Sequence, residues 1–333
     1  MPIVKSIREV VCEDVFVKLP EGFGAQLYLK VEGFNLAQSI KLKSALEMVE
    51  QAERVGRLRP GQTIVESSSG NMGVALALVA VDKGYSFRCV TDTRCAEASR
   101  RIMTALGAEV EVVTEPLPDG GLLGARLQRV GELCRHPDMV WLNQYTNPAN
   151  WQAHYRRTAP AVAAAFPHLD VLFVGAGTTG TLMGCARYFR EHRPSTKVVA
   201  VDSYGSVTFG GEPGVRRIPG LGTSVRPAIL DPSFIDDVVH VSEVETIRAC
   251  RELSRAGLLL GGSTGSVVAG ARRWLGLQGE GLSAVAISPD LGERYLETIY
   301  DDAWVMDNYG PAALAAWSDV ATTGALAAAS GRV

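Results

Sequence analysis

The chain has 333 residues, of which 47% are hydrophobic and 21% charged, with a formal net charge of -3 and a pI near 6.0. This length and composition predict one large or two moderate α/β domains with a sizeable core. The sequence has no basic stripe for nucleic acid and no polybasic segment for a membrane, so small-molecule substrates are expected.

The six cysteines are far apart, with no Cys-x-x-Cys pair and no histidine at ligand spacing, which predicts reduced packing residues and no metal site. The first residues, MPIVKSIREV, do not resemble a signal peptide, and no stretch approaches 18 uninterrupted apolar residues. These features predict a cytoplasmic protein.

In the first half of the chain, short β-branched runs alternate with helical patterns. The predicted strands are QLYLKVE, TIVESSS, FRCVTD and VEVVTE, and the helices that follow them run through 45–55, VALALVAVDKG, AEASRRIMTALG and 124–135. Such alternation is typical of βαβ units in a parallel sheet.

The rhythm restarts after residues 147–151 with the strand DVLFVGAG, a helix and the strand KVVAVDS, which indicates a second α/β unit. The stretch 204–232 is rich in glycine and proline and is predicted to be a long, functional loop. From about Pro311 the chain is rich in alanine, serine and threonine, and is predicted to fray.

One strand-to-helix turn has the composition of a phosphate site. In DVLFVGAGTTGTLMG, small residues let an anion approach the backbone N–H groups of Gly177, Thr178, Thr179, Gly180 and Thr181. A dinucleotide-binding turn is a competing interpretation, since Gly175, Gly177 and Gly180 match G-x-G-x-x-G and Asp202 follows about 20 residues later. A tight turn without a ligand is the third.

Two further turns have a similar design. Residues 67–71 read Ser-Ser-Ser-Gly-Asn and suit a carboxylate, although simple N-capping by Ser or Asn is the favoured interpretation of this turn by itself. Residues 261–266 read Gly-Gly-Ser-Thr-Gly-Ser, again with capping as the alternative. Because ligands bind at the carboxyl ends of parallel strands, the three turns together predict one polar cleft.

Lys41 opens an amphipathic helix, where a lysine is most often a solvated surface residue. Lys43 is an equally good surface candidate. The segment Ser39-Ile40-Lys41, the Ser69-Gly70-Asn71 turn, the 177–181 turn and the 262–265 turn, in this order, resemble the cysteine synthase and cystathionine β-synthase family over residues 25–305.

That resemblance implies a fold type II pyridoxal-phosphate enzyme with two α/β domains, largely parallel twisted sheets and the cofactor in the cleft between them. The larger domain would comprise residues 1–35 and 150–310, the smaller mobile domain 36–149, and a tail 311–333. A homodimer is expected.

By the same resemblance Lys41 would form the Schiff base with pyridoxal 5'-phosphate, Asn71 would bond the cofactor's 3-hydroxyl, residues 177–181 would hold its phosphate, and Ser263 would face the pyridine nitrogen. The substrate carboxylate would be held by Ser68, Ser69, Gly70, Met72 and Gln144. Met72 departs from the family's usual threonine, which leaves its backbone N–H as the donor. The Asp and Arg that usually follow the lysine are also replaced here, and only Lys41 keeps the Ser-x-Lys spacing.

Within the family, NQYTNPANWQAHY, SYGSVTFGG and DLGERYLETIYDDAW are most similar to enzymes that join O-phospho-L-serine to L-glutamate, on the route to 2,3-diaminopropionate for siderophores or peptide antibiotics. This implies β-replacement through an aminoacrylate, with Lys41 as general base and ping-pong kinetics. Arg126 and Tyr145 are the candidates for binding the phosphate leaving group, with an exposed helix arginine as the equal alternative for Arg126. The loop 206–211 is the candidate for glutamate.

Three alternatives remain open from the sequence. A cysteine synthase would use O-phosphoserine or O-acetylserine with sulfide. A nicotinamide dehydrogenase would use Gly175, Gly177, Gly180 and Asp202. A degenerate homologue would bind a ligand or partner without turnover.

Overall fold

The computed structural model describes residues 3–4, 6–23, 26–279 and 281–314, so most of the predicted tail, 315–333, lies outside the described residues. Its strands are Phe16–Lys18 (β1), Leu27–Val31 (β2), Thr63–Ser67 (β3), Ser86–Asp92 (β4), Glu109–Val113 (β5), Met139–Trp141 (β6), Val171–Gly175 (β7), Lys197–Ser203 (β8), Asp237–Val241 (β9) and Ala284–Ser288 (β10). Its helices are Lys41–Arg54 (α1), Asn71–Lys83 (α2), Glu97–Ala105 (α3), Gly121–Leu133 (α4), Pro148–Arg156 (α5), Thr158–Ala165 (α6), Gly180–His192 (α7), Glu243–Arg255 (α8), Gly262–Gly276 (α9) and Asp302–Tyr309 (α10).

The strands form two sheets. The larger has the order β1-β2-β10-β7-β8-β9 and is parallel except for β1, which pairs antiparallel with β2. The smaller has the order β5-β4-β3-β6 and is parallel throughout. The predicted α/β fold with two largely parallel sheets is therefore confirmed.

Burial on both faces explains why the central strands read as continuous apolar runs. All five residues of β10, Ala-Val-Ala-Ile-Ser, are buried, as are the first four of β7. Two apolar clusters cover the opposite faces of the larger sheet, since neighbouring residues of β7, Phe173 and Val174, belong to different clusters. A third cluster packs α1 and α2 against the smaller sheet.

The predicted alternation of strands and helices matches the observed elements from β2 to α4. Four strands were not identified from the sequence: β1 and β6, each three residues long, and β9 and β10. The strands of the smaller sheet lie between residues 63 and 141, and those of the larger within 16–31 and 171–288. The domain boundaries themselves stay a prediction.

No helix or strand longer than a 3-10 turn interrupts the loop between β8 and β9, as its composition predicts. The cysteines are all unpaired; Cys89, Cys95, Cys185 and Cys250 are buried, whereas Cys12 is exposed. In the part of the chain that the structure describes, no helix is long and apolar enough to cross a membrane.

Candidate active site

A cavity of about 230 Å³ opens where strands of both sheets end. Its walls come from the turns after β3, β4, β7 and β10 and from the loop 216–224. In open parallel sheets this edge is where ligands bind. The predicted polar cleft and the cavity are the same place.

The turn between β7 and α7 has the geometry of a phosphate site. None of the backbone N–H groups of residues 177–181 has an acceptor among the described residues, and the buried Oγ1 of Thr179 also lacks a partner. A Cβ at Gly180 would lie 2.2 Å from Oδ1 of Asn150, and one at Gly177 would lie 2.7 Å from the Gly220 carbonyl. These free donors at a helix N-terminus fit the cofactor's phosphate.

Two hydroxyls of this turn are fixed from α5. Oγ1 of Thr178 accepts from Nδ2 of Asn150 at 3.1 Å, and Oγ1 of Thr181 lies 3.2 Å from Nε2 of His154. Burial and the nearby lysine cations hold the pKa of His154 well below its usual range, so its ring is neutral at neutral pH. The segment NQYTNPANWQAHY therefore supports the phosphate turn.

Lys41 is the first residue of α1 and lines the cavity. Ile40 beside it donates its N–H to the carbonyl of Pro289 at 2.8 Å, which ties the lysine to the end of β10. Burial lowers the pKa of Lys41, and the Asp290 carboxylate only partly opposes this. The interpretation of Lys41 as a solvated surface residue is wrong.

Lys43 lies elsewhere. Its side chain is buried, with Nζ 2.7 Å from Oε2 of Glu32 and 3.2 Å from Oγ1 of Thr158, and it also contacts Glu13. It does not line the cavity. The surface interpretation of Lys43 is also wrong, because these carboxylates compensate its charge in the interior.

Asn71 lies at the cavity, but both polar atoms of its side chain are engaged. Its Nδ2 donates to Oδ2 of Asp290 at 2.7 Å, and its Oδ1 accepts from Arg294. Asp290 also accepts from the Tyr295 hydroxyl at 2.6 Å. A bond from Asn71 to the cofactor's hydroxyl stays a prediction and would require Asn71 to release one of these partners.

Ser263 lies in the first turn of α9 and lines the cavity with a hydroxyl that has no partner among the described residues. Gly220 approaches it so closely that a Cβ there would lie 2.1 Å from the Ser263 Oγ. Thr264 and Ser266, by contrast, are bonded to Ser288 and Thr246. Of the hydroxyls in this turn, the one at Ser263 is thus free to meet a ligand.

The turn after β3 contains one hydroxyl that bonds backbone N–H groups and several backbone N–H groups without an acceptor among the described residues. Oγ of Ser68 accepts from the N–H groups of Gly70 (3.2 Å) and Gly73 (2.9 Å), so it bonds one N–H of the first turn of α2. The N-cap residue itself is Gly70, which has no side-chain cap bond, so N-capping by a serine or asparagine at that position is not found. No acceptor among the described residues meets the backbone N–H groups of Ser69, Asn71 and Met72. These N–H groups suit a carboxylate.

Glu66 organises this turn from below. Its carboxylate accepts from Ser67 N at 2.9 Å, from Trp141 Nε1 at 3.0 Å and from Gln144 N at 3.2 Å. Burial raises the pKa of Glu66 to about 7 against the effect of these donors. The Nε2 amide of Gln144 donates to the Ser67 carbonyl at 2.8 Å. This bond joins the segment after β6 to the turn after β3.

Arg126 of α4 is buried and lines the cavity, so its interpretation as an exposed helix arginine is wrong. Its Nε lies 3.0 Å from Oδ2 of Asp92, while its buried Nη1 has no partner among the described residues. Burial opposes the ionisation of Asp92, but the Arg126 and Arg94 guanidinia outweigh it and hold its pKa below the usual value. Tyr145 lines the same wall, and burial raises the pKa of its hydroxyl.

Several charged residues of the cavity were not identified from the sequence. Within the described part of the chain the cavity is lined by no aspartate or glutamate but by six basic residues: Lys41, Arg94, Arg126, Arg216, Arg217 and Arg294. Arg94 follows β4, which is a position where ligand-binding residues occur. The position of Arg94 just after the predicted strand FRCVTD could therefore have identified it from the sequence.

Two expectations fail. Residues 206–211 do not line the cavity; Ser206 and Thr208 are buried and bonded to each other and to Thr223. Asp202 is fully buried and accepts from the Ser203 N–H, so it offers no carboxylate to a ribose. The dinucleotide interpretation is wrong.

Comparison with known proteins agrees with this geometry. The chain matches the family model described as pyridoxal-phosphate dependent enzyme over residues 16–290. It is 40% identical to an N-(2-amino-2-carboxyethyl)-L-glutamate synthase from Ralstonia nicotianae over 309 residues, which cover 91% of each protein. A synthase of the same name from Cupriavidus metallidurans is 38% identical over 91% of this chain and 92% of its own length.

Solved structures give the same answer. The chain superposes on O-ureido-L-serine synthase with a TM-score of 0.84 and 33% identity, covering 97% of this chain and all of the other. It superposes on an O-acetylserine dependent cystathionine β-synthase from Helicobacter pylori with a TM-score of 0.82 and 29% identity, covering 90% and 100%. The chain therefore belongs to the family of pyridoxal-phosphate dependent enzymes, as a member of its cysteine synthase-like β-replacement branch.

Proposed function

We propose that the protein joins O-phospho-L-serine to L-glutamate, giving N-(2-amino-2-carboxyethyl)-L-glutamate and phosphate. The observation that carries this proposal is the cavity lined by five arginines and by no aspartate or glutamate, within the described residues of a chain of net charge -3. Two polyanionic substrates suit such a site, whereas O-acetylserine and sulfide need few of these charges. The names of the two curated synthases support the same reaction.

Lys41 is the proposed attachment point and base. Its lowered pKa keeps more of its amine unprotonated near neutral pH, which is the form that takes a proton from the substrate's Cα. When bound, pyridoxal phosphate supplies the sink for the electron pair left on that carbon. Ser263, as a neutral hydroxyl, is proposed to face the ring nitrogen without donating a full charge.

The donor is proposed to bind through its two anionic ends. Its carboxylate meets the free N–H groups of the turn after β3, together with Ser69 and Gln144. Its phosphate meets the unpartnered Nη1 of Arg126 and the hydroxyl of Tyr145. A guanidinium there stabilises phosphate as its negative charge increases.

The Cβ–O bond breaks and phosphate leaves with the electron pair, and the acceptor's amine nitrogen then forms a Cβ–N bond. The acceptor's amine loses one proton, and the Cα receives back the proton that Lys41 removed. Phosphate departs before the acceptor attacks, which predicts ping-pong kinetics.

The test is product identification. Purified holoenzyme is mixed with O-phosphoserine plus glutamate, O-phosphoserine plus sulfide, or O-acetylserine plus sulfide, and the products are weighed by mass spectrometry. The expected result is a glutamate adduct and inorganic phosphate formed faster than cysteine. Faster cysteine formation from either donor would identify a cysteine synthase instead, and no product at all would contradict the proposal.

We further propose a cytoplasmic homodimer whose product serves 2,3-diaminopropionate synthesis for a siderophore or peptide antibiotic. Light scattering of the purified protein tests the oligomeric state. A monomer at micromolar concentration would contradict it.

A further inference from the structure

Besides Arg126, the cavity is lined by the guanidinia of Arg94 and Arg216. Arg94, in the turn after β4, lines it with a side chain that is 36% exposed. Arg216, in the loop after β8, lines it and is buried. The two residues come from different sheets and share one cavity with the proposed donor site.

The carboxylates in contact with these groups are too few to neutralise them. Asp92 is shared, with its Oδ2 3.2 Å from Nη2 of Arg94 and 3.0 Å from Nε of Arg126. Arg216 donates to uncharged groups, namely the Gly205 carbonyl and the Ser224 hydroxyl (3.2 Å). Of the arginines that line the cavity, Arg94, Arg126 and Arg216 therefore have one contacting carboxylate, Asp92, among the three of them.

Arg94 and Arg216 also repel each other. Burial lowers the pKa of Arg216, Asp202 opposes this, and the charge of Arg94 lowers it further. An anion bound between the two guanidinia would relieve that repulsion and give a charged acceptor to Arg216, whose hydrogen bonds now reach only neutral oxygens.

The chemistry of the acceptor indicates which anion this is. The acceptor nitrogen must reach the carbon that the donor's ester oxygen has left. Phosphate oxygens lie two bonds from that ester oxygen, and the acceptor's α-carboxylate oxygens lie three bonds from its nitrogen. The α-carboxylate can therefore take the place that phosphate vacates at Arg126. The side-chain carboxyl carbon, three carbon–carbon bonds from Cα, then needs a second cationic site.

We propose that Arg94 and Arg216 form this second anion subsite and select an acceptor with a carboxylate at the end of its side chain. The proposal rests on the proposed function, since it concerns the second substrate of that reaction. It makes both residues determinants of specificity for the acceptor.

The test compares L-glutamate with L-glutamine, which has nearly the same shape but a neutral side chain. With O-phosphoserine saturating, kcat/KM is measured for both acceptors in the wild-type holoenzyme and in Arg94→Gln and Arg216→Gln. The wild type should prefer glutamate, and each variant should reduce the glutamate-to-glutamine ratio by roughly 10- to 100-fold, as expected for loss of charge-assisted hydrogen bonds. Arg94→Lys should restore part of the ratio.

Arg101→Gln is the matched control, because Arg101 is 79% exposed on α3 and does not line the cavity. Its ratio should equal that of the wild type. Arg94 is partly exposed, so Arg94→Gln is expected to fold even if Arg216→Gln does not. A wild type that uses both acceptors equally, or variants with an unchanged ratio, would overturn the subsite. A wild type that forms no glutamate product would overturn the proposed function and the subsite with it.

Discussion

Lys41 and Lys43 lie two residues apart on α1 and differ in what surrounds them. One faces the cavity beside Asp290, and the other is enclosed by Glu13, Glu32 and Thr158. Helical geometry places residues i and i+2 on different faces. The Ser-x-Lys spacing therefore favours the lysine that lines the cavity, and its attachment to the cofactor stays a prediction. The burial of Lys43 depends on Glu13 and Thr158, which no local pattern brings together.

Replacing Lys41 should abolish covalent attachment of the cofactor, whereas replacing Lys43 should lower the stability of the fold. After borohydride reduction of the holoenzyme, intact mass should show covalent cofactor in the wild type and none in Lys41→Ala, which should keep its fold. Lys43→Met should keep the covalent cofactor but lose about 3 kcal/mol of stability, because it leaves buried carboxylates without their cation. Covalent cofactor retained in Lys41→Ala would disprove the assignment.

Arg126→Gln should weaken binding of the phosphorylated donor selectively. Loss of one charge-assisted contact to phosphate is expected to lower kcat/KM for O-phosphoserine by about 10- to 100-fold, and that for O-acetylserine much less. Steady-state kinetics with both donors measure this difference. Arg129→Gln, on the same helix but outside the cavity, is the control; equal losses with both donors would contradict the assigned role.

Glu66 should make stability depend on pH. Its pKa is about 7 in the folded protein against 4.5 for the free side chain, so between these values the folded state keeps a proton that the unfolded state has lost. This contribution to stability is present below pH 4.5 and is lost as the pH rises towards 7. Urea unfolding over this range should therefore show Glu66→Gln gaining stability relative to wild type as the pH rises. A difference independent of pH would contradict the raised pKa.

At the scale of elements, the turns at 67–71 and 177–181 were predictable because each places small and polar residues directly after a strand that the sequence also identifies. The 261–266 turn follows α8 and an irregular segment, so the expectation that a strand precedes it is wrong. The positions of the three turns relative to one another were not predictable. Asp290 meets Asn71 across 219 residues, and Gly220 packs against Ser263 through a loop with no periodic pattern. Local sequence patterns cannot predict such contacts, because the sheet topology determines which distant segments meet.

The N-terminus of α7 should not tolerate a side chain at Gly180. A Cβ there would collide with Asn150 and displace the turn proposed to hold the phosphate, so Gly180→Ala is expected to weaken cofactor binding by roughly tenfold or more. Titration of the apoprotein with pyridoxal phosphate, followed by absorbance, measures this. Gly131→Ala in α4, where a Cβ meets nothing within 4 Å, should bind normally and gain about 0.5–1 kcal/mol of stability. Normal binding by Gly180→Ala would contradict the turn's role.

At the scale of the whole molecule, positive charge is concentrated in one cavity of a protein that is negative overall. Salt should therefore raise the KM for O-phosphoserine several-fold between low and physiological ionic strength, with little change in kcat. The KM for O-acetylserine, which lacks the phosphate charge, should change less. Equal salt dependence for the two donors would mean that the cavity's charge does not govern donor binding.

The burial of most cysteines leaves Cys12 as an exposed site for selective labelling. Burial raises the pKa of the Cys185 and Cys250 thiols to about 12, which leaves almost no reactive thiolate at neutral pH, whereas Cys12 is exposed. Maleimide dyes should consequently attach first at Cys12, beside the Glu13 that contacts Lys43. A fluorophore attached to this natural cysteine would report whether the segment around Glu13 stays in contact with α1 during turnover.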